Sequence, residues 1–332
     1  MLSSLFDNQI VVLVAKLLVL MMLLPATMVI GWIELKIMAH IQHRLGPMYP
    51  GGFHGWAQTA MDGLKFIQKE DIIPVGTDRK VFSMVPAIVM VGACMAFVVV
   101  PMSPHLVIEN LPAGLFFALA ASSVGVIGVL MAGWASNNKY ALMGGLRAAA
   151  QLIAYELPMV LAAAAVALQA SSMSLIEIVK AQHTLPFVIW AQPLGFLIFI
   201  AAATAETSRP PFDMPVAEAE IITGAFTEFA GMKFVFSLFA AEYLSFIALS
   251  AVTATLYLGG YNPILPFLGF IPGPVWFLLK TMLVIVFLMW VRWTFPRLRE
   301  DQLQKFAWKV LIPVSLVNIL LTAALKLTPL MK

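Results

Sequence analysis

The residues best suited to chemistry crowd into one stretch, from Ala205 to Glu242, which holds six of the chain's 17 acidic residues. Ionisable groups beside or inside a bilayer are costly and are retained where they act on protons, ions or substrates. Pro210, Pro211 and Pro215 prevent a continuous helix, so the stretch predicts a short, stiff, charged loop suited to a fixed site. A charged loop that merely joins two membrane helices is the alternative. The charged residues are Glu206, Arg209, Asp213, Glu218, Glu220, Glu228, Lys233 and Glu242.

The composition of the chain predicts a membrane protein. Its 332 residues are 61% hydrophobic and 11% charged, and the mean hydropathy is +0.93. Soluble domains are about 25% charged. The single cysteine, Cys94, argues against a disulfide framework, a zinc ribbon or an iron–sulfur cluster carried by this chain. The net charge of only +3 argues against a nucleic-acid partner, and no cleavable signal peptide is expected at the N-terminus.

The apolar runs predict an all-α membrane protein with eight transmembrane helices in a single polytopic domain, residues 1–332. The predicted spans are 9–33, 82–103, 112–134, 148–169, 186–206, 232–258, 273–293 and 308–328. Fifteen of the 20 lysines and arginines fall in segments after the odd-numbered spans, and three fall on the opposite side. The positive-inside rule then predicts cytoplasmic loops at 34–80 and 205–232, with both termini on the extracytoplasmic side.

Within the 34–80 loop, apolar residues recur at helical spacing after the breaks at Gly46-Pro47 and Pro50-Gly51-Gly52. This pattern predicts an amphipathic interfacial helix at about 53–68. The helix could be a simple surface anchor or could form part of a site. Asp62 favours a site, because an anchor in an anionic leaflet gains nothing from an acid. No metal site is predicted, since no acid or cysteine completes a ligand set with the nearby histidines.

Two further charged regions lie near the ends of predicted spans. Arg147 begins the fourth span, and Glu156 lies nine residues later, roughly 13 Å deeper into the membrane. Glu156 could pair with a lysine or carry a proton; the second is favoured because a buried carboxyl is readily protonated near neutral pH. Arg292 and Arg297 follow the seventh span, close enough to the membrane to neutralise the acidic cluster.

Seven motifs together resemble a family of membrane subunits of proton-pumping NADH:quinone oxidoreductase (respiratory complex I), the family of its H subunit, whose mitochondrial counterpart is NADH dehydrogenase subunit one. The resemblance spans nearly the whole chain in the family's order. The motifs are Glu34-Leu35-Lys36, HRLGPM at 43–48, AMDGLKFIQKEDIIP at 60–74, GGLRAAAQLIAYELP at 144–158, AETSRPPFDMPVAEAE at 205–220, EYLSFIALSAVTATLYLGG at 242–260 and RWTFPRLREDQL at 292–303.

The resemblance implies a membrane subunit that forms a chamber for quinone and couples electron transfer to proton translocation. Quinone is the implied substrate, with no covalently bound cofactor, no metal and no catalytic residue in this chain; FMN and iron–sulfur clusters belong to other subunits. The implied partners are peripheral-arm quinone-site subunits, adjacent small membrane subunits and lipid, in a prokaryotic inner membrane. The chamber residues are Glu34, Lys36, Asp62, Lys65, Glu206, Arg209, Phe212, Asp213, Arg292 and Arg297. The proton-relay residues are Arg147, Glu156, Glu218, Glu220, Glu228 and Glu242. The implied route for a proton or conformational signal runs from Asp213 through Glu218, Glu220 and Glu228 to Glu156.

Four positions depart from the family pattern: Leu35, Met48, Val216 and Glu300, the last standing where a tyrosine is common. These departures leave the electron donor open, either NADH or another. The alternatives are therefore the homologous subunit of a related donor:quinone or hydrogenase complex and, from a different class, an ion-coupled transporter. A transporter would place acids near mid-membrane in both halves of the chain, whereas here they cluster on the cytoplasmic side.

Overall fold

The computed structural model describes residues 9–183, 186–187, 191–215, 218–263 and 270–327, and within these ranges the regular structure is helical. The helices are α1 Gln9–Ile41, α2 Gln58–Gln68, α3 Arg79–Met95, α4 Gly114–Ala135, α5 Lys139–Ala170, α6 Leu175–Ala181, α7 Pro193–Glu206, α8 Glu218–Ile221, α9 Gly231–Tyr257, α10 Gly273–Thr294 and α11 Glu300–Leu327. Two of these helices contain a π-helical turn, at Val235–Ala240 in α9 and at Ala307–Leu311 in α11.

Seven of these helices (α1, α3, α4, α5, α9, α10 and α11) are long and apolar enough to cross a membrane. The all-α membrane fold is thus confirmed, but the count of eight spans is not. The predicted fifth span, 186–206, corresponds to α7, which has 14 residues. Its length of about 21 Å is less than the roughly 30 Å of a hydrocarbon core. Pro193 is in the first turn of α7. Proline disfavours helical backbone at the residue before it, so the regular helix begins later than predicted. Residues 188–190 of this predicted span lie outside the described ranges.

The predicted interfacial helix at 53–68 is divided into a single 3₁₀ turn, Phe53–Gly55, and the helix α2. At the division the backbone of His54 and Gly55 is left-handed, with φ of +54° and +62°, which a right-handed helix does not accommodate. Helix α2 packs against α1, where the hydroxyl of Thr59 donates to the carbonyl of Met28 at 3.0 Å. Its apolar face, with Leu64 and Ile67, stays more than half exposed.

Helix α5 is the centre of the larger hydrophobic core and contacts α4, α7 and α11. The side chains it buries are mostly small, among them Ala148, Ala162 and Ala163, and small residues let membrane helices approach closely. A second core joins α9 to α10 through residues such as Phe246 and Leu288.

Gly144 of α5 is expected to tolerate no side chain, because an added Cβ would lie 2.6 to 2.7 Å from backbone atoms of Gly224 and Ala225. Overpacking of this kind costs about 1–3 kcal/mol. We expect Gly144→Ala to lower the thermal midpoint of the purified complex. The matched control is Gly125→Ala in α4, where an added Cβ meets nothing within 4 Å and helix propensity favours alanine. Equal thermal midpoints for Gly144→Ala and the unmodified protein would contradict the prediction.

Candidate functional site

Four charged side chains from four segments form a partly buried group, here called the central ion cluster: Glu34, Arg209, Glu242 and Arg292. The carboxylate of Glu34 accepts from Arg209 Nη1 at 3.0 Å and from Arg292 Nη1 at 2.6 Å. Glu242 Oε1 lies 3.4 Å from Arg209 Nε and 3.9 Å from Arg292 Nη1. The cluster therefore joins the end of α1, the loop after α7, the first half of α9 and the end of α10.

The central ion cluster is shielded from solvent on its Arg209 side. The side chains of Arg209 and Glu34 are only 1% and 4% exposed. The guanidinium carbon of Arg209 lies 3.8 Å from the ring centroid of Phe246 and 5.0 Å from that of Tyr243, so aromatic faces supply further favourable contact. Asp213 interacts electrostatically with both Glu242 and Arg292 and adds a third carboxylate to the two arginines.

The loop that carries Arg209 and Asp213 is held in place by a buried glutamine. Gln151 of α5, which is fully buried, donates through Nε2 to the carbonyl of Ala205 at 2.7 Å and to that of Phe212 at 2.6 Å. Phe212 itself is 6% exposed and stacks on Phe306 of α11. It was predicted to line the chamber; within the described residues it packs in the core and anchors the loop. Gln151 was not among the predicted site residues. A single amide side chain in the otherwise apolar run 148–155 is the feature of the sequence that could have indicated it.

A cavity of about 120 Å³ adjoins the central ion cluster and is lined by both Glu242 and Glu206. Ser122, Ser237 and Ser245 are among its polar lining residues, and most of the rest are apolar. Two lining atoms, Glu206 Oε2 and Ser237 Oγ, are buried without a hydrogen-bond partner among the described residues. A cavity of this size with unpaired polar atoms has the room and the partners that buried water needs. We name it the Glu206 cavity.

Glu156 of α5 adds a further acid beside the Glu206 cavity. It interacts electrostatically with Glu206, and the hydroxyl of Ser123 donates to its Oε1. The structure therefore brings Glu156 next to Glu206, a residue predicted to belong to the chamber. The acids thus run from Glu34 and Glu242 through the Glu206 cavity to Glu156.

A second group lies nearer the surface, and we call it the outer ion chain: Glu300, Arg147, Glu220 and Arg297. Arg147 contacts Glu220 Oε2 at 2.5 Å and Glu300 Oε2 at 3.5 Å, and Arg297 contacts Glu220 Oε1 at 3.1 Å. Glu220 and Glu300 are nearly half exposed. The hydrogen bond from Arg147 lowers the pKa of Glu220, so this link is fully formed at neutral pH and is lost as acid protonates the carboxylate. Glu300, one of the four positions that depart from the family pattern, thereby gives Arg147 a second acidic partner.

The remaining predicted residues lie apart from both groups. Glu228 accepts from Asn138 Nδ2 at 2.6 Å, and Asp62 of α2 contacts Gln58 and Lys65 at 3.0 and 3.4 Å. Glu206 interacts electrostatically with Glu156, and the order through Glu218, Glu220 and Glu228 stays a prediction. The side chain of Glu218, at the start of α8, and residue Val216 lie outside the described part of the structure.

Lys36 restrains the loop that follows α1. Its Nζ donates to the carbonyl of Pro47 at 2.5 Å and lies 3.3 Å from Met48 Sδ. Met48, one of the departures from the family pattern, thus still receives a contact from this lysine. This contact holds the 44–50 segment against the end of α1. Gly46 in the same segment also lies against the carbonyl of Leu35.

Comparison with known proteins gives the family of the chain. A family model described as NADH dehydrogenase matches residues 14–323. The H subunit of the NADH-quinone oxidoreductase of Geobacillus kaustophilus (strain HTA426) is 48% identical over 293 residues, which cover 88% of this chain and 87% of the relative. The proteins of the same name from Bacillus mycoides (strain KBAB4) and Anoxybacillus flavithermus (strain DSM 21510 / WK1) are 47% and 48% identical over the same shares. The chain belongs to the NADH dehydrogenase family.

Proposed function

We propose that the chain is the quinone-chamber membrane subunit of a proton-pumping NADH:quinone oxidoreductase, in which it couples quinone reduction to proton translocation. Family membership and the names of its relatives support the assignment to that complex. The observation that best supports a quinone chamber is the central ion cluster, where Glu34, Arg209, Glu242 and Arg292 meet beside a cavity. Buried charges of this density are costly, and such groups are kept where they act on protons or substrates.

The proposed coupling uses the charge change that accompanies quinone reduction. A quinone that becomes a quinol takes up two electrons and two protons, so the demand for protons arises at one end of the acidic series. Closely spaced carboxylates titrate as a coupled set, and a proton gained or lost near Asp213 changes the proton affinity of Glu242. From Glu242 the series continues along the Glu206 cavity to Glu206 and Glu156.

We propose that α7 is an eighth crossing and that both termini face the extracytoplasmic side. Contacts at both ends of α7 support this orientation. Gln192, just before α7, donates to Thr322 Oγ1 at 2.7 Å near the end of α11, whereas the carbonyl of Ala205 accepts from Gln151 near the start of α5. The fifteen-to-three distribution of lysine and arginine supports cytoplasmic loops at 34–80 and 205–232.

In this arrangement the whole chain is one membrane domain, and α2 lies along the membrane surface with its apolar face in lipid. Exposed Met61, Leu64 and Ile67 on one side of α2 support that placement. The half-exposed outer ion chain then faces the cytoplasm, where the peripheral-arm subunits would cover it. Asp62, Lys65 and Lys36 stand at the rim of the chamber, between lipid and the central ion cluster.

The test is Glu34→Gln in the complete complex. Glutamine keeps the shape but loses the charge that pairs with both arginines, and charge-assisted hydrogen bonds contribute about 1.5–3 kcal/mol each. We expect NADH:quinone activity to fall about tenfold or more. NADH oxidation by a water-soluble artificial acceptor, which bypasses the chamber, should stay unchanged.

The matched control is Glu70→Gln, an exposed acid of the same 34–80 segment. Unchanged quinone reduction in Glu34→Gln would overturn the chamber assignment. A purified complex that reduces quinone from another donor but does not oxidise NADH would instead assign the chain to a related donor:quinone complex.

A further inference from the structure

Three spans meet at one corner of the molecule, where α3 begins, α4 ends and α5 begins. The backbone N–H of Asp78, just before α3, donates to the carbonyl of Ala135 at the end of α4 at 3.3 Å. Gly76 lies against the side chain of Asn137, in the turn between α4 and α5. These contacts bring the residues at the start of α3 next to those of the α4–α5 turn. Because all three helices are candidate spans, the corner lies at a membrane boundary.

This corner, here called the α3–α5 corner, carries three exposed cations: Arg79, Lys80 and Lys139. Within the described part of the chain none of the three forms an ion pair with an acidic side chain. The nearby acids are otherwise engaged. Asp78 accepts from the backbone N–H groups of Lys80 and Val81.

Glu228, the other acid at this corner, accepts from Asn138 Nδ2 at 2.6 Å. In the adjoining loop, Asp71 pairs with Lys233 at 2.8 Å. With three cations, Arg79, Lys80 and Lys139, against two acids, Asp78 and Glu228, the α3–α5 corner has a net positive charge.

Two large aromatic side chains accompany these cations. Trp134 is 73% exposed and Tyr140 is 47% exposed, although both lie at the ends of apolar helices. Lys139 Nζ lies 5.3 Å from the ring centroid of Tyr140. Exposed tryptophan and tyrosine at the ends of spans are typical of the headgroup level of a bilayer, where the ring is in contact with lipid and its polar atom is in contact with water.

We propose that the α3–α5 corner binds the phosphate-bearing headgroup of an anionic phospholipid, with Arg79, Lys80 and Lys139 on the phosphate and Trp134 and Tyr140 beside the glycerol and upper acyl chain. Juxtamembrane cations attract anionic lipid, and charged groups form the strongest hydrogen bonds to phosphate. A lipid fits better than a protein partner because the exposed aromatic rings lie at headgroup level. The site is separate from the central ion cluster, so it does not depend on the proposed electron transfer.

The experiment uses the complete complex in nanodiscs that contain a photoactivatable phosphatidylglycerol, with a diazirine in its acyl chain. The readout is the labelled fraction of the peptide that contains residues 134–140. Each cation near an anionic surface strengthens lipid binding roughly fivefold. We expect the triple variant Arg79→Gln, Lys80→Gln and Lys139→Gln to lower labelling by about tenfold or more. Labelling by a phosphatidylcholine with the same photoactivatable acyl chain should be weak in both the unmodified complex and the triple variant.

The matched control removes three cations elsewhere on the same side of the chain: Arg299→Gln, Lys305→Gln and Lys309→Gln, which should leave labelling unchanged. The single variant Lys139→Gln gives a second measurement should the triple variant assemble poorly, with an expected decrease of roughly fivefold. Equal labelling by the two lipids in the unmodified complex would overturn the proposal. So would full labelling of the triple variant, or cross-linking of this peptide to a neighbouring subunit in place of lipid.

Discussion

Replacing Arg209 by methionine is expected to be the most damaging single change in the chain. The substitution keeps most of the volume but leaves Glu34, whose side chain is 4% exposed, with one arginine in place of two, and leaves Glu242 without its nearer cation. Removing one partner of a buried ion pair costs about 3–5 kcal/mol. We expect the assembled complex in membranes to fall about tenfold or more, measured by quantitative native gel electrophoresis.

The matched control is Arg299→Met. Arg299 also pairs with an acid, Asp301 at 3.2 Å, but the two side chains are 84% and 52% exposed. Exposed pairs contribute at most about 1 kcal/mol, so Arg299→Met should assemble normally. A double variant, Arg209→Met with Glu34→Met, should lose less stability than the sum of its single variants, because no carboxylate of Glu34 is then left to bury. Normal assembly of Arg209→Met would show that the central ion cluster does not hold α1, α9 and α10 together.

Replacing Glu206 by glutamine is expected to give the largest loss of proton translocation with the least structural change. Glu206 stands between Glu156 and the cavity that it shares with Glu242, and its Oε2 has no partner within the described residues. Glutamine has nearly the same shape but cannot accept and release a proton. Groups that transfer protons contribute about 10²–10⁴-fold to rates, so we expect proton uptake by proteoliposomes to fall about a hundredfold. The measurement is the quenching of a pH-sensitive dye after NADH addition, at matched amounts of assembled complex.

Two variants accompany this measurement. Glu206→Asp keeps a titratable carboxyl and should restore part of the translocation. Glu228→Gln removes a carboxylate that hydrogen bonds to Asn138 and does not line the Glu206 cavity, so its effect should be much smaller. Translocation at the normal rate in Glu206→Gln would remove Glu206 from the route. A loss in Glu228→Gln as large as that in Glu206→Gln would favour the order first predicted from the sequence.

The charged positions were predictable from the sequence because charge in an apolar chain is conspicuous. Arg209, Glu242 and Arg292 were selected in this way, whereas Glu34 was selected from the resemblance to the family, and the structure brings the four together. Their pairing was not predictable, since Glu34 and Arg292 are 258 positions apart. Gln151 was missed for a related reason. A neutral amide is weakly marked in sequence, and its importance comes from two loop carbonyls that only folding brings within reach.

The sequence by itself determined the class of the protein, seven helices that are long and apolar enough to cross a membrane, and the set of ionisable residues, because hydropathy and charge act locally along the chain. The sequence did not determine the length of α7. That helix begins at Pro193, and the packing around this proline sets its start. Only the tertiary structure decided which acids share a cavity, which share an arginine and which stand alone. The physical reason is that Coulomb attraction and burial depend on distance in space, and helix packing converts a series of acids in sequence into separate groups.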